Sequence, residues 1–176
     1  MKHDNTPIRP RRRRQPKVLL AIDTQNMCHP NIRINYARLR EFCQTQGELV
    51  ASIAFVTDSP ETLNFQLWLH HNGYTVEPIR PRSNGHGQLK GNADIAMAFW
   101  LGTAIERYRL KRGDILVLCS GDADFVPIIE RLRARGIVTL LFAYRASAAP
   151  QLQVISDRFY PLEDIPEFYR EREAAA

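Results

Sequence analysis

Five short apolar runs, each closing on polar residues and each followed by a stretch with helical spacing, constrain the fold more than any other feature of the chain. The runs are KVLLAID (from Lys17), LVASIAFVTD (from Leu49), YTVEPI (from Tyr74), DILVLCS (from Asp114) and IVTLLFAY (from Ile137). They are too short for buried helices, and all but YTVEPI lack the apolar/polar alternation of a half-solvated strand, so they read as strands of a sheet covered on both faces. Between them lie YARLREFCQTQG, PETLNFQLWLHHNG, ADIAMAFWLGTAIERYRL and DFVPIIERLRARG, with helix-start Pro or helix-stop Gly where the pattern needs them. QLQVISDRF reads as a further short helix and YPLEDI as an extended ending. Strands alternating with helices at this spacing predict an α/β domain, a three-layer α/β/α sandwich around a mostly parallel central sheet.

The length, 176 residues, and a 44% hydrophobic content suit one domain with a real core. The formal charge of +5 is uneven, because IRPRRRRQPK near the start carries five Arg and one Lys with no acid. We therefore divide the chain into a basic arm (1–16), a domain (17–166) and a short tail (167–176). An arm of Arg11, Arg12, Arg13 and Arg14 suits a phosphate backbone through counterion release, or is simply a solvated terminus. No apolar run reaches the roughly 18 residues of a membrane span, so no membrane partner is expected. Cys28, Cys43 and Cys119 show no metal or disulfide spacing, which points to a reducing, cytoplasmic setting.

Acids recur where these strands end. Asp23 closes the first, Asp122 and Asp124 follow the fourth within SGDADFVP, and Asp94 opens the long helix after a glycine-rich loop. Each has a local explanation as a helix cap or turn residue. Together at one edge of a parallel sheet, where ligands bind such folds, they would repel one another unless a cation neutralised them. Oxygen ligands alone favour Mg²⁺ or Mn²⁺ over zinc. Asn26 either caps the segment after Asp23 or holds a ligating carboxylate or water, and Lys90 either meets a phosphate or pairs with Asp94.

The segments IDTQN, KGNADIAMA and SGDADFVPIIERLRARGIVTLLFA resemble the three motifs of the NYN domain, in the LabA-like branch of the PIN-like nuclease superfamily, and QLQVISDRFYPLEDI is similar to that branch's closing motif. The resemblance covers roughly residues 17 to 165. It implies a PIN-like α/β/α fold and an acidic pocket that binds a divalent metal and hydrolyses RNA. By position Asp23, Asp94 and Asp122 match the family's acids, Asn26 matches the polar residue after the first, and Asp124 fits the motif. Thr24 departs from the pattern, standing where glycine is frequent.

The resulting expectation is a Mg²⁺- or Mn²⁺-dependent endoribonuclease. Asp23, Asp94, Asp122 and Asp124 serve as metal ligands, with Asn26 and Lys90 beside them. Arg11 to Arg14, Arg80 and Arg82, with Arg145 as a further candidate, lie along single-stranded RNA, which a pocket at strand ends admits more easily than duplex. The competing reading is a non-catalytic RNA- or protein-binding regulatory module that keeps a metal site, and a third is a phosphatase using Asp122 and Asp124. Trp68 is expected in the core. Phe99 and Trp100 are expected in the core or at a homodimer contact, and Tyr144 either stacks a base or completes the core.

Overall fold

Alternate residues of the first strand enter different cores. Val18, Leu20 and Ile22 pack into one apolar cluster and Leu19 and Ala21 into another, all of them buried. This is the side-chain period of two acting on a strand covered from both sides. The computed structural model describes residues 14–29, 32–83, 89–90 and 93–171. Along the described chain come β1 (Lys17–Asp23), β2 (Ile32–Ile34), α1 (Tyr36–Gln46), β3 (Glu48–Thr57), α2 (Leu63–His71), β4 (Thr75–Ile79), β5 (Arg82–Ser83) and β6 (Leu89–Lys90). They continue with α3 (Ala93–Arg107), β7 (Ile115–Cys119), α4 (Val126–Ala134), β8 (Val138–Ala143), α5 (Pro150–Ile155), β9 (Arg158–Pro161) and β10 (Tyr169–Glu171).

Six of these strands form one sheet in the order β4-β3-β1-β7-β8-β9, every neighbouring pair parallel. Residues of α1 and α2 share one core cluster with the sheet, whereas residues of α3, α4 and α5 share the other. The expected three-layer sandwich is what the chain forms. The chain after β1 thus turns to one face and the chain after β7 to the other, although β1 and β7 are hydrogen-bonded neighbours. Ligands bind parallel sheets at such a divergence, just beyond the carboxyl ends of the two strands.

Three local expectations need correction. The last helix stops at Ile155, and Arg158 to Pro161 pair with β8 instead of continuing it. Asp157 explains the change: its carboxylate accepts from the Thr139 amide at 2.8 Å and its own amide donates to the Thr139 carbonyl at 3.0 Å. Its role is to clip β9 into the sheet. The stretch Leu162–Asp164 is a 3-10 turn rather than extended chain. Trp68 is 43% exposed, because α2 turns Leu69 inward and leaves Leu63, Leu67 and Trp68 on its outer side. Two small antiparallel pairs, β2 with β10 and β5 with β6, have no sequence signal, since strands of two or three residues carry no readable period.

At the sheet's other end, Asp114 is fully buried just before β7 and ties three segments together. Its carboxylate accepts from the Lys17 amide at 2.8 Å, the Lys111 amide at 2.7 Å and the Arg14 guanidinium at 2.6 Å. Burial alone would raise its pKa, but the two amides and the guanidinium outweigh it and hold the carboxyl below its ordinary value of 3.8. A depressed carboxylate contributes stability that is present above the unfolded pKa and lost as pH falls through the folded one. Asp114→Asn is therefore expected to lower stability at neutral pH by about 1–3 kcal/mol and to flatten the loss of stability below pH 3.8, as urea titrations across the acid range would measure.

Candidate functional site

β1 and β7 deliver their last paired residues, Ile22 and Cys119, side by side, so the residues that follow share one edge of the sheet. Asp23 follows Ile22 and is only 5% exposed. Its Oδ1 accepts from the amides of Gln25 at 3.0 Å and Asn26 at 3.2 Å, which folds the loop back over the carboxylate. The neighbouring Thr24 spends its hydroxyl on the Phe55 carbonyl of β3 at 2.8 Å, so the departure from glycine stitches the loop to the sheet.

Beyond β7, the Asp122 carboxylate accepts from the Asp124 amide at 3.0 Å and caps the 3-10 turn Ala123–Phe125 that leads into α4. Asn26 links the two strand ends directly, since its Oδ1 accepts from the Gly121 amide at 2.8 Å. Asp94 comes from a third place, the first turn of α3. One carboxylate oxygen from each of Asp94, Asp122 and Asp124 can be chosen so that all lie within 4.8 Å of one another.

Asp23 stands outside that triplet of oxygens, but its surroundings reach it. Burial raises its pKa above 3.8, the Asn26 and Gln25 amides pull it back, and the charge of Asp122 pushes it up again. Four acids from three separate segments therefore meet where the connections of β1 and β7 diverge. The donor set is all carboxylate oxygen, with no His or Cys in the triplet, and this is the chemistry of a hard divalent cation such as Mg²⁺ or Mn²⁺.

The remaining candidates are spread more widely. Arg14 pairs with Asp114 at the opposite end of β1 from Asp23. Arg80 is exposed just past the end of β4, on the same sheet edge as the acids. Arg82 and Lys90 are register partners in the antiparallel β5–β6 pair. Arg11, Arg12 and Arg13 lie outside the described residues. Arg145 donates its backbone amide to Glu163 at 2.9 Å and ion-pairs with Asp164. Tyr144 completes the core, with its hydroxyl donating to the Met27 carbonyl at 3.3 Å and its ring 4.9 Å from that of His29. Phe99 is 74% exposed, whereas Trp100 packs edge-on against Phe55. Sequence reading passed over a cavity of about 880 Å³ on the other side of the Thr24–Cys28 loop, lined by residues of β2, α1 and α2. Arg33 reaches it from β2, whose three residues make a strand too short to read.

Two changes test the local geometry. Asn26→Ala removes the acceptor of the Gly121 amide and is expected to cost about 1–3 kcal/mol in a denaturant melt. Asp23→Asn keeps an oxygen for the two loop amides but has no charge to bury. A carboxyl with a raised folded pKa contributes stability below the unfolded pKa and loses it as pH rises through the folded one. Asp23→Asn is thus expected to be more stable than the parent at neutral pH in the presence of a chelator. The gap should close as pH falls toward 3.8, as melts at a series of pH values would measure.

Comparisons with known proteins bear on the family and the fold. A family model described as the NYN domain matches residues 17–163. "Low amplitude and bright protein LabA" of Synechococcus elongatus is 32% identical over 107 residues, 57% of this chain and 55% of that protein, so the chain spans about half the length of this relative. The crystal structure of a protein of unknown function from Vibrio parahaemolyticus RIMD 2210633 superposes with a TM-score of 0.74 at 20% identity, covering 92% of this chain and 100% of the other. At that identity the likeness bears on fold alone. Among the described residues no helix is long and apolar enough to cross a membrane.

Proposed function

The chain belongs to the NYN domain family, in its LabA-like branch and thus in the PIN-like nuclease superfamily, and from that premise we propose that it is an endoribonuclease that hydrolyses single-stranded RNA with Mg²⁺ or Mn²⁺ held by its aspartates. The observation that carries this reading is the convergence of Asp94, Asp122 and Asp124, with carboxylate oxygens within 4.8 Å, at the point where β1 and β7 send their connections to opposite faces.

Each residue has a role in that reading. Asp94, Asp122 and Asp124 hold the cation, and Asp23, buried beside Asp122, supplies the further negative charge that makes a cation welcome there. A divalent ion supplies Lewis acidity, lowering the pKa of a bound water and neutralising charge on the phosphate. Asn26 fixes the spacing of the two acidic loops through its bond to the Gly121 amide. Lys90 stabilises the phosphate, and Arg80, Arg82 and the arm residues Arg11, Arg12 and Arg13 follow the RNA backbone by charge. Arg14 serves the fold, through Asp114. Cys28, Cys43 and Cys119 form no disulfide among the described residues, which suits a reducing cytoplasm.

The test is incubation of the purified protein with a 5′-labelled single-stranded RNA with Mn²⁺, with Mg²⁺ and with a chelator. Cleavage that requires the cation, and that is absent from a folded Asp23→Asn variant, is the expected result. Equal cleavage in the chelator, or intact RNA under every condition, would overturn the proposal and favour a module that binds without turnover.

A further inference from the structure

We infer that the cavity behind the Thr24–Cys28 loop is a nucleobase pocket, which takes a base of the single-stranded RNA next to the phosphate held at the aspartates; this rests on the ribonuclease reading above. The loop is the wall shared by the two sites. On one side the amides of Gln25 and Asn26 grip the Asp23 carboxylate, and on the other Thr24, Gln25 and Met27 line the cavity. RNA whose phosphate meets the acids has to pass over this single loop to reach it.

Size and lining fit a base. The volume of about 880 Å³ lies within the range of small-ligand pockets, roughly 300–1,000 Å³, and has room for a nucleoside. Its floor is apolar and buried, built from Met27, Val56 and Tyr36. Phe65 stands beside Tyr36 with ring centroids 5.4 Å apart, and Trp68, 43% exposed, forms the lip. Flat aromatic groups around an apolar floor suit a π face.

The rim sets which part of a nucleotide goes in. Arg33, from β2, is an exposed cation suited to the backbone outside the pocket. Glu61 is an exposed anion whose carboxyl is held below its ordinary range by a hydrogen bond from Ser59. An anion at the entrance disfavours a phosphate inside and accepts hydrogen bonds from the amino groups of a base. The exposed Trp68 is therefore an anchor for substrate, which accounts for a large aromatic left outside the core.

The experiment uses the full chain carrying Asp23→Asn, to prevent cleavage while keeping the Asp94, Asp122 and Asp124 cluster, and Trp100→Phe, which leaves Trp68 as the single indole of the two in the sequence. Single-stranded RNA trinucleotides are titrated in the presence of Mg²⁺ while indole emission is followed. Saturable quenching is expected, and Arg33→Ala and Phe65→Ala should each weaken binding by on the order of tenfold. Arg33 is at the surface, so its replacement reports on the pocket even if Phe65→Ala perturbs folding. RNA that binds by anisotropy without changing Trp68 emission, with unaltered affinity in Arg33→Ala, would overturn the pocket, as would a failure to bind. Quenching in this variant together with intact RNA after incubation with the parent protein would remove the ribonuclease reading and keep the pocket. Cleavage by the parent without quenching in the variant would do the reverse.

Discussion

Asp122→Asn is expected to lower metal-dependent cleavage of single-stranded RNA by on the order of 10³-fold while leaving the melting temperature nearly unchanged. The two effects separate because Asp122 has two jobs. Its Oδ1 caps the turn into α4 by accepting from the Asp124 amide at 3.0 Å, and an Asn carbonyl can accept the same bond. Its charge, shared with Asp94 and Asp124, is what holds a cation, and an amide has none. Metal-assisted charge stabilisation is worth several kcal/mol in the transition state, which corresponds to about 10³-fold in rate. Cleavage of labelled RNA and thermal denaturation on the same preparation check both halves. Near-parent activity would remove Asp122 from the site, and loss of the fold would make its role structural.

The second large effect falls on the adjacent residue. Gly121→Ala is expected to destabilise the protein by about 3 kcal/mol or more, the upper end of overpacking costs. A Cβ there would sit 2.5 Å from the Ser147 carbonyl oxygen and 2.8 Å from Ala148 Cα, both backbone atoms that cannot rotate away. Gly121 is also held from both sides, its amide by Asn26 and its carbonyl by the Ala149 amide, each at 2.8 Å. Relief of the clash has to move the β7–α4 turn or the loop before α5. A shift of the turn displaces Asp122, so cleavage should fall with stability, and misplacement of about 1 Å can cost roughly 10² in rate. A melting temperature within a degree of the parent would show that this close approach is not a constraint.

The glycine and the acids of SGDADFVP were legible in the sequence, but the reason for the glycine was not. Tight turning suffices to explain Gly121 locally, whereas the actual cause is a strand-to-loop contact with Ser147 and Ala148, distant in the chain. The sheet was readable for the opposite reason, since burial on both faces writes uninterrupted apolar runs such as Leu116 to Cys119 into the strand itself. The neighbour relation of β1 and β7, assumed in bringing Asp23 to Asp122, follows from topology and needed the structure. Trp68 was misplaced because helical spacing gives the apolar residues of α2 without giving the phase at which the helix meets the sheet. Arg14 belonged by composition to the basic arm, but its pairing with the buried Asp114 depends on a residue a hundred positions away.

The most direct measurement is Mn²⁺ binding, by isothermal titration calorimetry, to the parent protein and to Asp94→Asn, Asp122→Asn and Asp124→Asn. If their oxygens form one cation site, the parent should bind Mn²⁺ and each replacement should weaken binding markedly, because each removes a charge from the same cluster. Binding that is absent from the parent, or unchanged by all three replacements, would contradict the account.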